Sequence, residues 1–147
     1  MKIKNYCAYQ ERCHSEVRDK LYSLGLHKND VEAAISNLIE ENFLNEERFA
    51  ILFAGGKFRI KQWGRIKIRY ELKQKQVSDY CIKKALHSID EGEYRKTFNK
   101  LLEQQLVRLR GERSIYTRKR KLYDFLKGKG FETDLINPAI TRLKDKR

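Results

Sequence analysis

Seven apolar positions recur three times along this chain, and that recurrence restricts its folding more than any other feature. Val17, Leu21, Leu26, Val31, Ala34, Ile35 and Leu38 fall, after a shift of 51 residues, on Ile68, Leu72, Val77, Ile82, Ala85, Leu86 and Ile89. After a shift of 105 the same set falls on Leu122, Leu126, Phe131, Ile136, Ala139, Ile140 and Leu143. The leucines at 21, 72 and 126 and the alanines at 34, 85 and 139 are identical. Gly25 and Gly130 also correspond, whereas Gln76 interrupts the match in the middle copy. Self-similarity at this period marks tandem structural units, each too small to bury its apolar face alone.

Within one copy the spacing is helical. Val17 and Leu21 are four apart; Val31, Ala34, Ile35 and Leu38 follow i, i+3, i+4, i+7, one face of an amphipathic helix. Gly25 suits a left-handed turn at the end of the first helix. Asn29, with Glu32 three residues on, reads as a capping box for the second, and Ser78 and Thr133 offer capping oxygens near the equivalent place. A third helix follows in copies one and two, with Asn45 as its cap. Phe49, Leu52 and Phe53 form its apolar edge, matched by Phe98, Leu101 and Leu102. Gly55-Gly56 predicts a kink or helix end, since glycine in a helix interior costs about 1 kcal/mol. The expected fold is all-α, an elongated, curved array of tandem three-helix repeats with about nine helices. An N-terminal helix lies in 1–12, supported by Tyr6 and Tyr9. Repeats occupy 13–60, 63–112 and 117–147, the last lacking a third helix.

Composition limits the function. Of 147 residues, 33 are Lys or Arg and 20 are Asp or Glu, a formal net charge of +13, yet 40% are hydrophobic, too many for a disordered basic tail. The charge is uneven. Residues 1–50 hold 7 basic and 9 acidic side chains, 51–100 hold 13 and 5, and 101–147 hold 13 and 6. The first third suits a protein partner; the remainder suits a polyanion. Cys7, Cys13 and Cys81 cannot all pair and show no zinc-ligand spacing, so free thiols are expected. With no long apolar run and no signal-like opening, the chain reads as cytoplasmic, with no membrane contact.

Little in the chain points to catalysis. His14, His27 and His87 are scattered, so no metal site is expected. No His-Glu-x-x-His, phosphate-loop or dinucleotide glycine motif occurs, so no cofactor is expected either. Gly128-Lys129-Gly130 reads as a helix-end turn. The carboxylates Glu40-Glu41 and Glu46-Glu47 flank helix ends, where acids belong in a first turn. The expectation is a non-enzymatic protein.

The basic stretches carry more information. Arg59, Lys61, Arg65, Lys67, Arg69 and Lys73 share their stretch with one acid, Glu71. Arg65, Arg69 and Lys73 stand four apart, beside the buried positions Ile68 and Leu72. Such a stripe fits a phosphate backbone or the acidic edge of another protein. Arg118, Lys119, Arg120 and Lys121 are read at the start of a helix, as is Gly64-Arg65. Cations there oppose the helix dipole until an anion docks on the free amides. Trp63 reads either as a hydrophobic staple or as a base-stacking or wedge residue. Tyr70, Tyr80 and Tyr116 either cover the core or reach bases.

These residues resemble the RecX family, regulators of the RecA recombinase. The run from Tyr9 to Leu21 is similar to the opening of RecX proteins. Phe43-Leu44-Asn45-Glu46-Glu47-Arg48-Phe49-Ala50 resembles the family's Leu-Asp-Asp-x-x-Phe/Tyr-Ala run, with Asn45-Glu46 in place of the acidic pair. Arg59, Lys61 and Gly64 to Leu72 resemble its Lys-x-x-Gly-x-x-x-Ile-x-x-Glu-Leu signature. Cys13 stands where a capping Ser is common. The resemblance implies tandem three-helix repeats lying in the groove of the RecA–DNA filament and inhibiting ATP hydrolysis and strand exchange, or hastening disassembly. It also implies binding to single- and double-stranded DNA. A monomer is expected. The alternative is a general DNA-binding helical-repeat protein acting without RecA, with one helix in the major groove.

Overall fold

The computed structural model describes residues 2–143. Among them the chain forms α1 (Lys2–Tyr9), α2 (His14–Ser23), α3 (Lys28–Glu40), α4 (Glu46–Gly56), a π-helical turn (Lys57–Lys61), α5 (Arg65–Gln74), α6 (Asp79–His87), α7 (Glu91–Arg108), α8 (Ile115–Lys129) and α9 (Thr133–Thr141), with no strand. The helix end expected at Gly55-Gly56 is where α4 passes into the π turn.

The threefold echo is present in the backbone itself. Gly25, Gln76 and Gly130 all take positive φ, at 92°, 63° and 96°. Each closes a helix in the same way. Leu26, Val77 and Phe131 donate their N–H groups to the carbonyls of Leu21, Leu72 and Leu126 at 3.3, 3.1 and 3.2 Å. Gly25, Gln76 and Gly130 donate to Tyr22, Lys73 and Lys127 at 3.0, 2.9 and 3.0 Å. This pair of bonds is the Schellman closure, which places an apolar residue just past the helix end. The residues after the turn are the next members of the repeat. All three sets of seven positions are buried or half-buried.

The chain divides into two compact units. The first comprises Met1–Gly56 and Tyr70–Ser88. Its core holds Cys7, Val17, Leu21, Val31, Ile35, Leu38 and Leu44, with Ile3, Tyr6, Leu26, Ala34 and Phe43 against them. Helix α4 packs on α6, and the small residues Ala50, Ala54 and Ala85, all fully buried, allow the helices to approach closely. The N-terminus of α2 is held at the end of α5: Ser15 Oγ donates to the Lys75 carbonyl at 2.7 Å, and Glu16 accepts from the Cys13 N–H at 3.0 Å. The second unit comprises Lys57–Arg69 and Ile89–Arg147. Its core centres on the rings of Phe58, Tyr94, Phe98 and Phe131. Tyr94 lies 5.7 Å from Phe58 and 5.3 Å from Phe131, which lies 5.3 Å from Phe98.

Several local expectations need correction. Helix α3 begins at Lys28 behind His27, so Asn29 lies inside its first turn and does not cap it. Glu32 instead reaches Arg18, accepting from its Nε at 3.1 Å. Thr133 is the first residue of α9 and Glu132 occupies the cap position. Leu52 is 53% exposed, because the buried face of α4 runs through Phe49, Ala50 and Ala54. Asn45 and Ser78 do cap: their side chains accept from the Arg48 N–H at 2.9 Å and the Cys81 N–H at 3.3 Å. The three cysteines are unpaired and buried.

Candidate polyanion-binding surface

The stretch from Lys57 to Arg69 owes its position to an exchange of backbone hydrogen bonds at the start of α5. Gly64 N–H donates to the Lys129 carbonyl at 2.8 Å, and Ile66 N–H to the Gly130 carbonyl at 2.9 Å. Arg65 N–H donates to the Tyr94 hydroxyl at 2.9 Å. Three amides of the first turn are therefore already satisfied. This corrects the expectation that Gly64-Arg65 presents a free helix N-terminus to an anion.

Arg65 is committed inside the second unit. Its guanidinium reaches Glu91 at 2.6 Å and Glu132 at 2.8 Å, and lies over the Tyr94 ring at 3.8 Å. Its side chain is only 20% exposed. The Tyr94 hydroxyl donates in turn to Glu132 at 2.5 Å. Burial, reinforced by that bond to Glu132, holds the Tyr94 phenol far above its ordinary range. Arg65 and Glu132 thus lock together three elements that the sequence separates widely.

The neighbouring cations stand differently. Among the described residues, none of Arg59, Lys61, Lys67 and Arg69 has a carboxylate at ion-pairing distance. Arg59, Lys61 and Arg69 are exposed and Lys67 is half-buried. Lys129 joins them from the end of α8. Its Nζ donates to the Lys61 carbonyl at 2.9 Å. Burial, and then the positive charges of Lys67 and Lys61, hold its pKa below the usual lysine range. Trp63 is half-buried, with the Lys67 ammonium 4.9 Å and the Lys57 ammonium 5.1 Å from its ring centre. A shallow groove beside the π turn adds Lys96 and Lys100 of α7 to Arg59.

The remaining candidates divide. Lys73, in the first unit, is exposed and lies 3.6 Å from Asp79. Arg118 to Lys121 do not open a helix. Ser114 caps α8, its Oγ accepting from Thr117 N–H at 3.2 Å, so the four cations begin in the second turn, away from the free amides. Arg118 donates to the Glu112 carbonyl at 2.8 Å, and Lys121 pairs with the Glu112 carboxylate at 2.8 Å. At about 1.5 Å per residue, this run lies roughly 12–17 Å along α8 from Lys129. The basic residues therefore form two patches on the second unit. Tyr70, Tyr80 and Tyr116 are exposed, Tyr116 at 78%.

Lys129, Lys96 and Lys100 are absent from any sequence-derived site. The signal for Lys96 and Lys100 was their i, i+4 spacing. Lys129 had none, because only the fold brings α8 to Gly64. No group of three or more His, Cys, Asp or Glu residues among those described is placed to hold a metal ion. No helix among them is long and apolar enough to cross a membrane.

Comparison with known proteins gives a consistent relationship. The family model for the second three-helix domain of RecX matches residues 45–86, and that for the third matches residues 93–140. These segments hold α4 to α6 and α7 to α9. The regulatory protein RecX of Clostridium perfringens is 35% identical over 133 residues, covering 90% of this chain and 62% of that protein. The RecX of Lactobacillus gasseri is 30% identical over 139 residues, covering 95% of this chain and 51% of that one. This chain thus spans between half and two thirds of the length of these relatives. The crystal structure of RecX from Lactobacillus salivarius matches with a TM-score of 0.86 at 27% identity, over 97% of this chain and 92% of that one. With two family domains in tandem, related sequence along nearly its whole length and the same backbone, the chain belongs to the RecX family.

Proposed function

We propose that the chain is a regulatory protein of the RecA–DNA filament that inhibits RecA's ATP hydrolysis and strand exchange. The observation that carries this reading is the contrast around α5. Arg65 is neutralised by two glutamates, while Arg59, Lys61, Lys67 and Arg69 beside it have none among the described residues. Unneutralised cations held by a folded scaffold favour a polyanionic partner, and membership of the RecX family points to the filament. Arg59, Lys61, Lys67, Arg69, Lys73 and the run Arg118, Lys119, Arg120 and Lys121 are the proposed contacts with DNA or RecA. Arg65 holds the surface in place. Several modest contacts along a repeating polymer act at high effective concentration, so no single one has to be strong. The chain acts as a monomer, in the cytoplasm, without cofactor, and performs no chemistry of its own. The repeats 13–60, 63–112 and 117–147 would meet successive sites on the polymer.

The test is RecA's DNA-dependent ATPase with this chain added up to equal amounts. Suppression of ATPase and strand exchange supports the proposal. Normal rates with the protein bound to the filament would refute it. Tight, sequence-selective duplex binding without RecA, compared at two salt concentrations, would instead favour the general DNA-binding protein.

A further inference from the structure

Three lysines of the second unit are brought together from three separate elements. Lys61 ends the π turn, Lys67 lies in the first turn of α5, and Lys129 ends α8. Their geometry is fixed by backbone. Lys129 donates to the Lys61 carbonyl at 2.9 Å. Gly130, beside Lys129, lies so close to Lys67 that a Cβ on the glycine would fall 2.3 Å from the Lys67 Cβ. The Lys67 ammonium is steadied 4.9 Å from the Trp63 ring centre. No carboxylate among the described residues pairs with any of the three. Carboxylates are present nearby, but Glu91 and Glu132 both close on Arg65, two residues before Lys67. Like charges gathered in this way repel one another, and an anion placed among them removes the penalty.

We propose that Lys61, Lys67 and Lys129 form a clamp for a phosphodiester group of a nucleic-acid backbone, with Trp63 at its edge. The proposal rests on the reading above that this surface meets the RecA–DNA filament, and it assigns this part of the surface to nucleic acid rather than to acidic protein. The donor chemistry favours that choice. A planar guanidinium fork matches a single carboxylate two-point, as Arg18 does with Glu32 at 3.1 and 3.4 Å, and no such fork belongs to this cluster. Lysine is a compact point charge, and three of them surround an anion from separate directions. An aromatic ring beside such a cluster is the arrangement used to follow a single strand, where phosphates meet cations and a base meets a π-face.

Trp63 is the chain's single tryptophan, so its emission reports on the clamp alone. The intact chain is titrated, without RecA, with a short oligothymidylate and, separately, with polyglutamate of equal charge. The oligothymidylate is expected to change Trp63 emission saturably, and polyglutamate is not. K67Q and K129Q are each expected to weaken oligothymidylate binding several-fold. Each should also lower the slope of log affinity against log salt by about 0.7, the value for one single-strand phosphate contact. K129R, which keeps the charge, should retain the slope. Far-ultraviolet circular dichroism confirms that each variant is folded. Unchanged emission, unchanged slopes in folded K67Q and K129Q, or an equal response to polyglutamate would overturn the clamp. ATPase suppression by the unmodified chain is measured separately. If suppression is present while slopes are unchanged, the clamp alone fails. If suppression is absent while the slopes fall, the clamp stands and the RecA reading fails.

Discussion

Gly64 and Gly130 touch backbone to backbone: a Cβ on Gly64 would lie 2.4 Å from the Gly130 carbonyl carbon and 2.5 Å from the Phe131 nitrogen. This contact gives a physical reason for the glycine in the Lys-x-x-Gly signature. The start of α5 can hydrogen-bond to the end of α8 only if neither chain carries a side chain at the crossing.

Adding a methyl group at either position should therefore be costly. Gly130→Ala combines the steric conflict with a positive φ of 96°. Gly25→Ala has a φ of 92° but nothing within 4 Å of the new atom, so it measures the backbone cost alone, about 1–2 kcal/mol. Urea unfolding should rank Gly130→Ala as the most damaging, with Gly64→Ala costing about 1–3 kcal/mol or more from overpacking. Equal losses at Gly25 and Gly130 would contradict the contact.

The middle copy offers the reverse experiment. Gln76 holds a φ of 63°, which glycine adopts without steric cost. Gln76→Gly should raise stability by about 0.5–1 kcal/mol, the gain being reduced by the greater freedom of glycine in the unfolded chain. A rise in the urea midpoint with unchanged slope is the expected result.

Tyr94→Phe removes a hydroxyl that satisfies both the Glu132 carboxylate and the Arg65 amide. Leaving such partners unmatched costs about 1–3 kcal/mol. The pH dependence has a definite sign. The native phenol titrates above its unfolded value near 10 because it is buried and bonded to Glu132. Above roughly pH 10 the unfolded chain loses a proton that the native state keeps, so this contribution to stability falls as pH rises. The stability gap between the parent chain and Tyr94→Phe should be constant from pH 7 to 9 and narrow above 10, as read from urea midpoints.

Arg65 and Arg69 are four residues apart on one helix, yet their substitutions should separate cleanly. Arg65→Gln removes one partner each from Glu91, which keeps Arg95, and from half-buried Glu132, which keeps the Tyr94 hydroxyl, and should cost about 1–3 kcal/mol. Arg69→Gln breaks no ion pair seen among the described residues and should leave the thermal midpoint nearly unchanged. Its effect should appear in binding to DNA or filament, as a lower affinity and a shallower salt dependence. Differential scanning calorimetry beside a binding titration distinguishes the two.

Much of the architecture was legible in the residues themselves. Side-chain direction in a helix follows sequence spacing, so apolar residues at i, i+3, i+4 and i+7 reveal a buried face before any tertiary contact is known. The same local rule made the Gly25 and Gly130 turns and the Asn45 and Ser78 caps readable. It failed at Asn29 and Thr133, where neighbouring glutamates had partners outside their own turn: Glu32 met Arg18 and Glu132 met Tyr94. It also failed at Leu52, because the face of α4 that is buried runs through Phe49, Ala50 and Ala54 and leaves Leu52 on the other side.

The character of the basic surface was decided elsewhere. Sequence spacing put Arg65, Arg69 and Lys73 on one stripe and counted them alike. Folding joined Arg65 to Glu91 and Glu132, which are 26 and 67 residues away, and brought Lys129 to Lys61 across 68 residues. Helical periodicity is a property of a few adjacent residues and is written in their order. Whether a charge is cancelled or left open depends on which distant chain segments arrive beside it, and only the packed tertiary structure sets that.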